Sequence, residues 1–430
     1  MNNNLPVAII GGGPVGLAAA AHLVQQNESF ILFELGNKVG TNFLDYHHVR
    51  LFSPWKYNID KAAKDLLLKN KLPLPSENEL PLGGEIVSQY LEPLSNLPEF
   101  KPHIHLNSKV ISIGRKGLDK MKSFGRDEIP FVIHVQKDNE FKMYEAKAVI
   151  DATGTWQNPN PIGSGGIHAN GEQKVQNQIY YGIPDVLGKD RKRYEGKTTL
   201  VVGGGHSAIN ALLELADLQK QNENTKLVWA LRKKTVSEAY GGKENDALPA
   251  RGELGTKIHE LVQNGKVIVH TPMFIHSVQK DANHKLSVLG VKNDLNHTIN
   301  EIDEIISNTG SRPNFNMLRE IRHVSDPSIE SVPELAELID PNIHSCGTVR
   351  PHGEKELRQP EEHFYIIGAK SYGRAPTFLL ATGYEQARSV VAYITGNFES
   401  AKQVQLELPE TGVCSISNVV KQESAVGCCG

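Results

Sequence analysis

A chain of 430 residues with 22% charged side chains and a formal charge of -3 has room for roughly two to three domains. It offers no cationic surplus for nucleic acid or an anionic membrane. No apolar run reaches the roughly 20 residues that span a bilayer, and no basic leader precedes the first apolar run at Val7, so a cytoplasmic protein is expected. Four cysteines, Cys346, Cys414, Cys428 and Cys429, make neither a Cys-x-x-Cys pair nor a disulfide framework.

The first predicted strand, Val7 to Ile10, runs directly into Gly11-Gly12-Gly13-Pro14-Val15-Gly16, and an alanine-rich helix follows over Leu17 to Val24. Gly11 suits a tight turn, Gly13 a close backbone approach to pyrophosphate, and Gly16 close packing of helix on sheet. The helix N-terminus, with Pro14 and Val15 beside it, directs backbone N–H groups toward phosphate oxygens. A second strand, Phe30 to Phe33, ends at Glu34. An acid about 20 residues beyond the glycines accepts hydrogen bonds from an adenosine ribose. Gly11, Gly13, Pro14, Val15, Gly16 and Glu34 thus read as one dinucleotide site.

The loop-like segment His47-His48-Val49-Arg50-Leu51-Phe52-Ser53-Pro54-Trp55 concentrates aromatic, cationic and hydroxyl side chains. Arg50, Ser53 and Trp55 suit the lining of a flat isoalloxazine ring with polar atoms along one edge, which makes FAD the expected first nucleotide. Alternatively, Phe52 and Trp55 anchor the core and Arg50 forms a surface ion pair. A strand at Ala148 to Ile150 ends in Asp151-Ala152-Thr153-Gly154-Thr155-Trp156, where Thr153 and Gly154 permit close backbone approach to the nucleotide. Pro159 then begins an exit from the domain.

A second strand–glycine–helix unit begins at Lys197 to Val202 and continues through Gly203-Gly204-Gly205-His206-Ser207-Ala208 into a helix ending near Leu218. Gly203, Gly205, His206, Ser207 and Ala208 are its candidate contacts. The next strand, Lys226 to Leu231, ends in Arg232-Lys233-Lys234, where cations complement the 2′-phosphate of NADPH and an acid would favour NADH. Arg232 is the leading phosphate ligand, with Lys233 beside it. Gly241-Gly242 and Pro249 to Gly255 read as a long loop in which Arg251 serves phosphate, substrate or structure. Strands near Val267 to Val269 and Ile305-Ile306 complete the unit, and Thr309-Gly310-Ser311-Arg312-Pro313 marks the return crossing, with Gly310 near the coenzyme.

Phe364 to Gly368 forms a closing strand, and a helix is expected from Pro376 to Ile394. Its N-terminus, with Gly368 and Phe378 nearby, suits the flavin pyrimidine edge, where it would stabilise negative charge on the reduced ring. The expected organisation is a first nucleotide domain over 1–160, a connection over 161–195 and an inserted NADPH domain over 196–312. A closing part over 313–398 and a cysteine-containing tail over 399–430 follow. In the tail, Gly427-Cys428-Cys429-Gly430 pairs two thiols able to exchange disulfides or bind a thiophilic ion. No metal ligand set is assigned in the body of the chain.

The paired fingerprints, Ala152-Thr153-Gly154-Thr155-Trp156 and Thr309-Gly310-Ser311-Arg312-Pro313 together resemble the two-dinucleotide-binding-domain flavoproteins over about residues 5–398. Within them the chain is similar to the flavin-monooxygenase-like branch with its thioredoxin-reductase-like fold, including flavoproteins associated with potassium transport or metal resistance. The resemblance implies an α/β Rossmann-like fold with the NADPH domain inserted into a split FAD domain. It also implies hydride transfer from NADPH to FAD, then to molecular oxygen with a small-molecule substrate, and a possible homodimer. The Phe-x-Gly-x-x-x-His motif of class B monooxygenases is absent before the second fingerprint. The rival expectation is a disulfide or thiophilic-metal reductase using Cys428 and Cys429, although Gly40-Thr41-Asn42-Phe43-Leu44 lacks the flavin-proximal cysteines of such enzymes. A non-enzymatic flavin-bound sensor is the third.

Overall fold

The computed structural model describes residues 4–243, 248–341 and 352–406. Its strands follow the apolar runs. The first part of the chain supplies β1 (Val7–Ile10), β2 (Phe30–Phe33), β3 (Ile104–His105), a three-stranded meander of β4 (Ser108–Arg115), β5 (Phe131–Lys137) and β6 (Glu140–Ala146), and then β7 (Ala148–Asp151). The middle supplies β8 (Ile179–Tyr181), β9 (Thr198–Val202), β10 (Lys226–Ala230), β11 (Val267–His270), a second meander of β12 (Phe274–Lys280), β13 (Leu286–Lys292) and β14 (Leu295–Ile302), and β15 (Glu304–Ser307). The closing part adds β16 (Phe364–Ile366).

Two five-stranded sheets result, ordered β16-β7-β1-β2-β3 and β11-β10-β9-β15-β8, with parallel neighbours throughout. The strands of the second sheet lie in sequence between β7 and β16, so one Rossmann-like unit is inserted into another. β1 and β7 are buried along their whole length, as expected of strands covered on both faces. The meanders are antiparallel. Their signal was the alternation of Phe131, Ile133 and Val135, which are buried while the residues between them are less so.

The helix after the first glycine turn runs Pro14–Gln25 and buries Leu17 to Ala21 completely. Gly16 makes this possible, because a Cβ there would stand 2.0 Å from the Gly11 carbonyl oxygen. Two expectations are corrected. Pro249–Gln263 is a helix rather than a long loop. Pro249 opens it, where a missing N–H costs nothing, and Gly255 faces the Tyr240 carbonyl, which a Cβ would meet at 1.9 Å. The closing helix begins at Leu380, not Pro376, and Phe378 therefore lies in the loop ahead of it. No helix among the described residues is long and apolar enough to cross a membrane.

Candidate functional site

The first glycine turn is built as a nucleotide cradle. Glu34, buried at the end of β2, accepts hydrogen bonds from Gly12 N at 2.7 Å and Gly36 N at 2.8 Å. This pins the carboxylate beside the turn, and a carboxylate has about four lone-pair sites, so acceptor capacity is left for ribose hydroxyls. Leu17 N is the first helix amide to find an intrahelical acceptor, the Gly13 carbonyl. Val15 and Gly16 therefore present amides at the positive end of the helix. A Cβ built on Gly13 would meet nothing within 4 Å, whereas one on Gly11 would lie 2.7 Å from the Ala152 carbonyl. The cradle is open on its ligand side and closed on its sheet side, which fits a pyrophosphate. Val15 lies against Gly368, and Phe378 packs on Gly383 from the other end of the closing segment.

Beneath the cradle is an ion pair that sequence inspection missed. Lys370 Nζ donates to Asp151 Oδ2 at 2.6 Å and to Thr153 Oγ1 at 3.1 Å. Both charged side chains are fully buried. Thr153 donates both its hydroxyl proton, at 2.8 Å, and its backbone N–H, at 3.1 Å, to Asp151 Oδ1, so it braces the strand ends and leaves its carbonyl as its remaining polar group. Lys370 had no recognisable motif. Its partner is 219 residues away in sequence.

In the segment around residue 50 the side chains are largely engaged within the protein. Ser53 is buried and donates to Asn58 Oδ1 at 2.9 Å, while Asn58 Nδ2 returns a bond to the Ser53 carbonyl. Trp55 is only 3% exposed and belongs to the core of the first unit. Arg50 is exposed and donates to the Leu80 carbonyl at 2.6 Å. The physical reason is local: a tight turn over 53–58 consumes the hydroxyl and drives the indole inward. Phe52, a core anchor in the alternative account, faces a cleft, with its ring 5.6 Å from that of His206 and the Arg251 guanidinium 5.8 Å away. Arg251 itself is buried in the first turn of the helix Pro249–Gln263.

That cleft encloses about 920 Å³. One wall is the second glycine turn, from Gly203 through Ser207, together with Arg232, Lys233 and Gly310. The other includes Phe52, Trp156, Arg374 and Pro376 from the first unit. Trp156 is held by donating Nε1–H to Asp45 Oδ2 at 3.0 Å and by packing on Tyr46 with ring centroids 4.7 Å apart. The two chain crossings beside it are tied together, since Asn160 N donates to the Gly310 carbonyl and Arg312 N to the Asn158 carbonyl. Burial raises the Tyr181 hydroxyl well above its ordinary value, and the hydrogen bond it donates to Glu172 raises it further.

The second turn repeats the logic of the first. Gly203 has φ of +135°, and a Cβ there would lie 2.2 Å from the Asn308 carbonyl, whereas Gly205 is open. The helix His206–Gln221 starts at this turn with Ala208 fully buried under it, and Ser207 contributes a first-turn amide. Arg232 is exposed and donates Nη1–H to the Ser164 carbonyl at 2.9 Å, and Lys233 Nζ donates to the Glu238 carbonyl at 2.7 Å. Both cations are thus held at the end of β10 with further N–H groups available. The structure brings Arg232, Lys233, the second glycine turn and Gly310 into one cleft. It leaves Arg50, Ser53 and Trp55 out of it. Cys428 and Cys429, like Cys346 and Cys414, lie outside the described residues.

With this geometry in place, a profile of the family "Pyridine nucleotide-disulphide oxidoreductase" matches residues 8–347. The chain belongs to that family. It is an FAD-dependent oxidoreductase of pyridine nucleotides with the two-dinucleotide-binding, thioredoxin-reductase-like fold. Among its relatives, ferredoxin–NADP reductase 2 of Exiguobacterium sibiricum is 24% identical over 81% of this chain and 82% of its own length. Ferredoxin–NADP reductase 2 of Sulfolobus acidocaldarius is 27% identical over 50% of this chain, which spans about half (51%) of that relative. In fold the family member resembles bacillithiol disulfide reductase Bdr of Bacillus cereus, with TM-score 0.68, 19% identity, and coverage of 91% and 99% of the two chains. It also resembles the FAD-bound cadaverine monooxygenase DfoA of Erwinia amylovora, with TM-score 0.66, 13% identity, and coverage of 96% and 100%.

Proposed function

We propose that this oxidoreductase takes hydride from NADPH and delivers two electrons to molecular oxygen, oxygenating a small-molecule substrate. The balance is substrate + O2 + NADPH + H+ giving oxygenated substrate + H2O + NADP+. Bound FAD supplies the two-electron carrier between coenzyme and oxygen. In this reading Gly11, Gly13, Pro14, Val15 and Gly16 cradle the FAD pyrophosphate, and Glu34 takes the adenosine ribose. Gly154, Gly368 and Phe378 shape the flavin end, with Thr153 contributing backbone. Gly203, Gly205, His206, Ser207 and Ala208 form the coenzyme turn, Arg232 and Lys233 take the 2′-phosphate, and Gly310 borders the nicotinamide side. Trp156 and Phe52 orient the coenzyme in the cleft and keep bulk water from it.

The observation that carries this reading is the cleft itself. It runs from the coenzyme turn to Phe52, Trp156 and Arg374 of the first unit, and no cysteine precedes residue 346 to intercept the electrons. The test follows NADPH oxidation, oxygen uptake and hydrogen peroxide release with and without candidate nucleophilic substrates. Oxygen uptake matching NADPH, with peroxide falling as an oxygenated product accumulates, is expected.

A second reading, reduction of a disulfide or thiophilic ion through Cys428 and Cys429, is favoured by the adjacent thiols at the end of the chain. Under it, air would not support turnover, and the double variant Cys428→Ser/Cys429→Ser would abolish activity. The oxygen reading expects that variant to turn over normally.

A further inference from the structure

At the seam between the two Rossmann-like units, ligating side chains converge from separate parts of the chain. His47 and His48 follow the short helix Thr41–Asp45 of the first unit. Asp185 comes from the turn after β8, in the second. One ligating atom from each of the three lies within 4.8 Å of those of the others. Glu214, on the helix His206–Gln221 behind the coenzyme turn, stands beside His48 but outside that group of three. His47 Nε2 stands 3.6 Å from Asp185 Oδ2, and His48 Nε2 stands 3.5 Å from Glu214 Oε1.

These distances do not amount to a finished hydrogen-bond network. Both ring nitrogens of His48 and Oε2 of Glu214 are buried without a partner in good hydrogen-bonding geometry, the Pro184 backbone lying near the imidazole and the Val186 backbone near the carboxylate. Buried polar atoms in native proteins are almost always satisfied, and an orphan points to an unplaced water or ion. Four-coordinate Zn2+ with bonds of about 2.0–2.1 Å holds its ligand atoms roughly 3.3 Å apart. The His47–Asp185 pair already stands near that spacing. Two imidazoles with one carboxylate and room for a water are also a donor set suited to a divalent transition metal rather than to Ca2+ or Mg2+.

The carboxylate of Asp185 is held from behind, as metal ligands commonly are. Lys189 N donates to Asp185 Oδ2 at 3.2 Å. Gly188 leaves room for that carboxylate, since a Cβ there would come within 2.3 Å of Oδ2. We propose that His47, His48 and Asp185 form a divalent transition-metal site, of the kind that takes Zn2+, with Glu214 beside His48, fastening the first unit to the second. The segment His47 to Phe52 runs from this site directly into the cleft wall, so an ion there would also restrain Phe52.

The experiment uses the full-length holoenzyme, stripped with a chelator and titrated with Co2+ as a spectroscopic probe. Expected are one tightly bound Co2+ per chain, visible d–d bands without a thiolate charge-transfer band, and displacement by Zn2+. His48→Asn and Asp185→Asn should each weaken binding by at least the roughly 10–100-fold that loss of an outer-shell partner costs, with flavin absorbance reporting intact folding. His47→Gln, at a half-exposed position, is the milder variant that keeps the test valid should the buried substitutions unfold the chain. Zn2+ should raise the melting temperature of the native protein but not of His47→Gln. Cys428→Ser/Cys429→Ser should bind Co2+ unchanged. Absence of saturable binding, or binding lost with the cysteines and kept without the histidines, would overturn the site.

Discussion

Replacing Arg232 by alanine isolates the choice of coenzyme. The guanidinium sits at the end of β10 on the cleft wall, exposed, with Nη1 donating to the Ser164 carbonyl at 2.9 Å. A hydrogen bond to a charged group contributes about 1.5–3 kcal/mol. Solvent competes at this exposed position and one donor is already engaged, so the lower end applies. About 1.5 kcal/mol corresponds to roughly tenfold in affinity. The KM for NADPH should therefore rise about tenfold in Arg232→Ala, while that for NADH, which lacks the 2′-phosphate, should change less than about twofold. The difference should shrink with added salt, which screens an exposed charge. Steady-state NADPH and NADH oxidation at two ionic strengths measures all of this. Equal losses for both coenzymes would refute the phosphate role and indicate that Arg232 serves to anchor the Ser164 loop. No loss for either would move the 2′-phosphate elsewhere in the cleft.

Three further outcomes follow from particular contacts. Lys370→Met leaves the buried Asp151 carboxylate uncompensated and should cost about 3–5 kcal/mol in denaturant unfolding, with Lys370→Met/Asp151→Leu recovering most of it. If the single variant were as stable as the native protein, the ion pair would not be the brace described here. Gly203→Ala drives a Cβ against the Asn308 carbonyl and should abolish tight NADPH binding while the purified protein keeps its full flavin content; loss of both nucleotides together would contradict the separation of the two sites. His270 is half-buried, and burial first, then the neighbouring His297, pushes its imidazole down to about 4. The unfolded chain therefore takes up this proton before the folded one, and stability falls as pH drops from about 6.5 toward 4. After discounting for solvent screening the loss is about 1–2 kcal/mol, and His270→Asn should flatten that limb of a pH series of thermal melts.

Both glycine turns, their strands and the cations after β10 were legible from sequence because each is a local pattern. Gly11 through Gly16 and Gly203 through Ala208 carry strand, turn and helix within a few residues, and backbone sterics demand glycine where a Cβ would strike a carbonyl. Glu34 belongs to the same class, being positioned by the strand it ends. The helix Pro249–Gln263 was misread because its glycines resembled a loop. Only the packing partner, the Tyr240 carbonyl, explains why Gly255 sits within a helix.

What tertiary structure alone decided is which side chains meet. Phe52 and Trp55 are three residues apart and both aromatic, yet one faces the cleft and the other fills the core, because the Ser53–Asn58 turn sets their directions. Lys370 and Asp151 find each other across 219 residues, and His48 faces Glu214 across the seam between the units. Sequence determined the two nucleotide cradles, because backbone conformation and helix termini act over a few residues. The buried ion pair, the cleft and the histidine cluster exist only because insertion of one sheet between β7 and β16 folds distant strand ends together, and no short-range pattern records that closure.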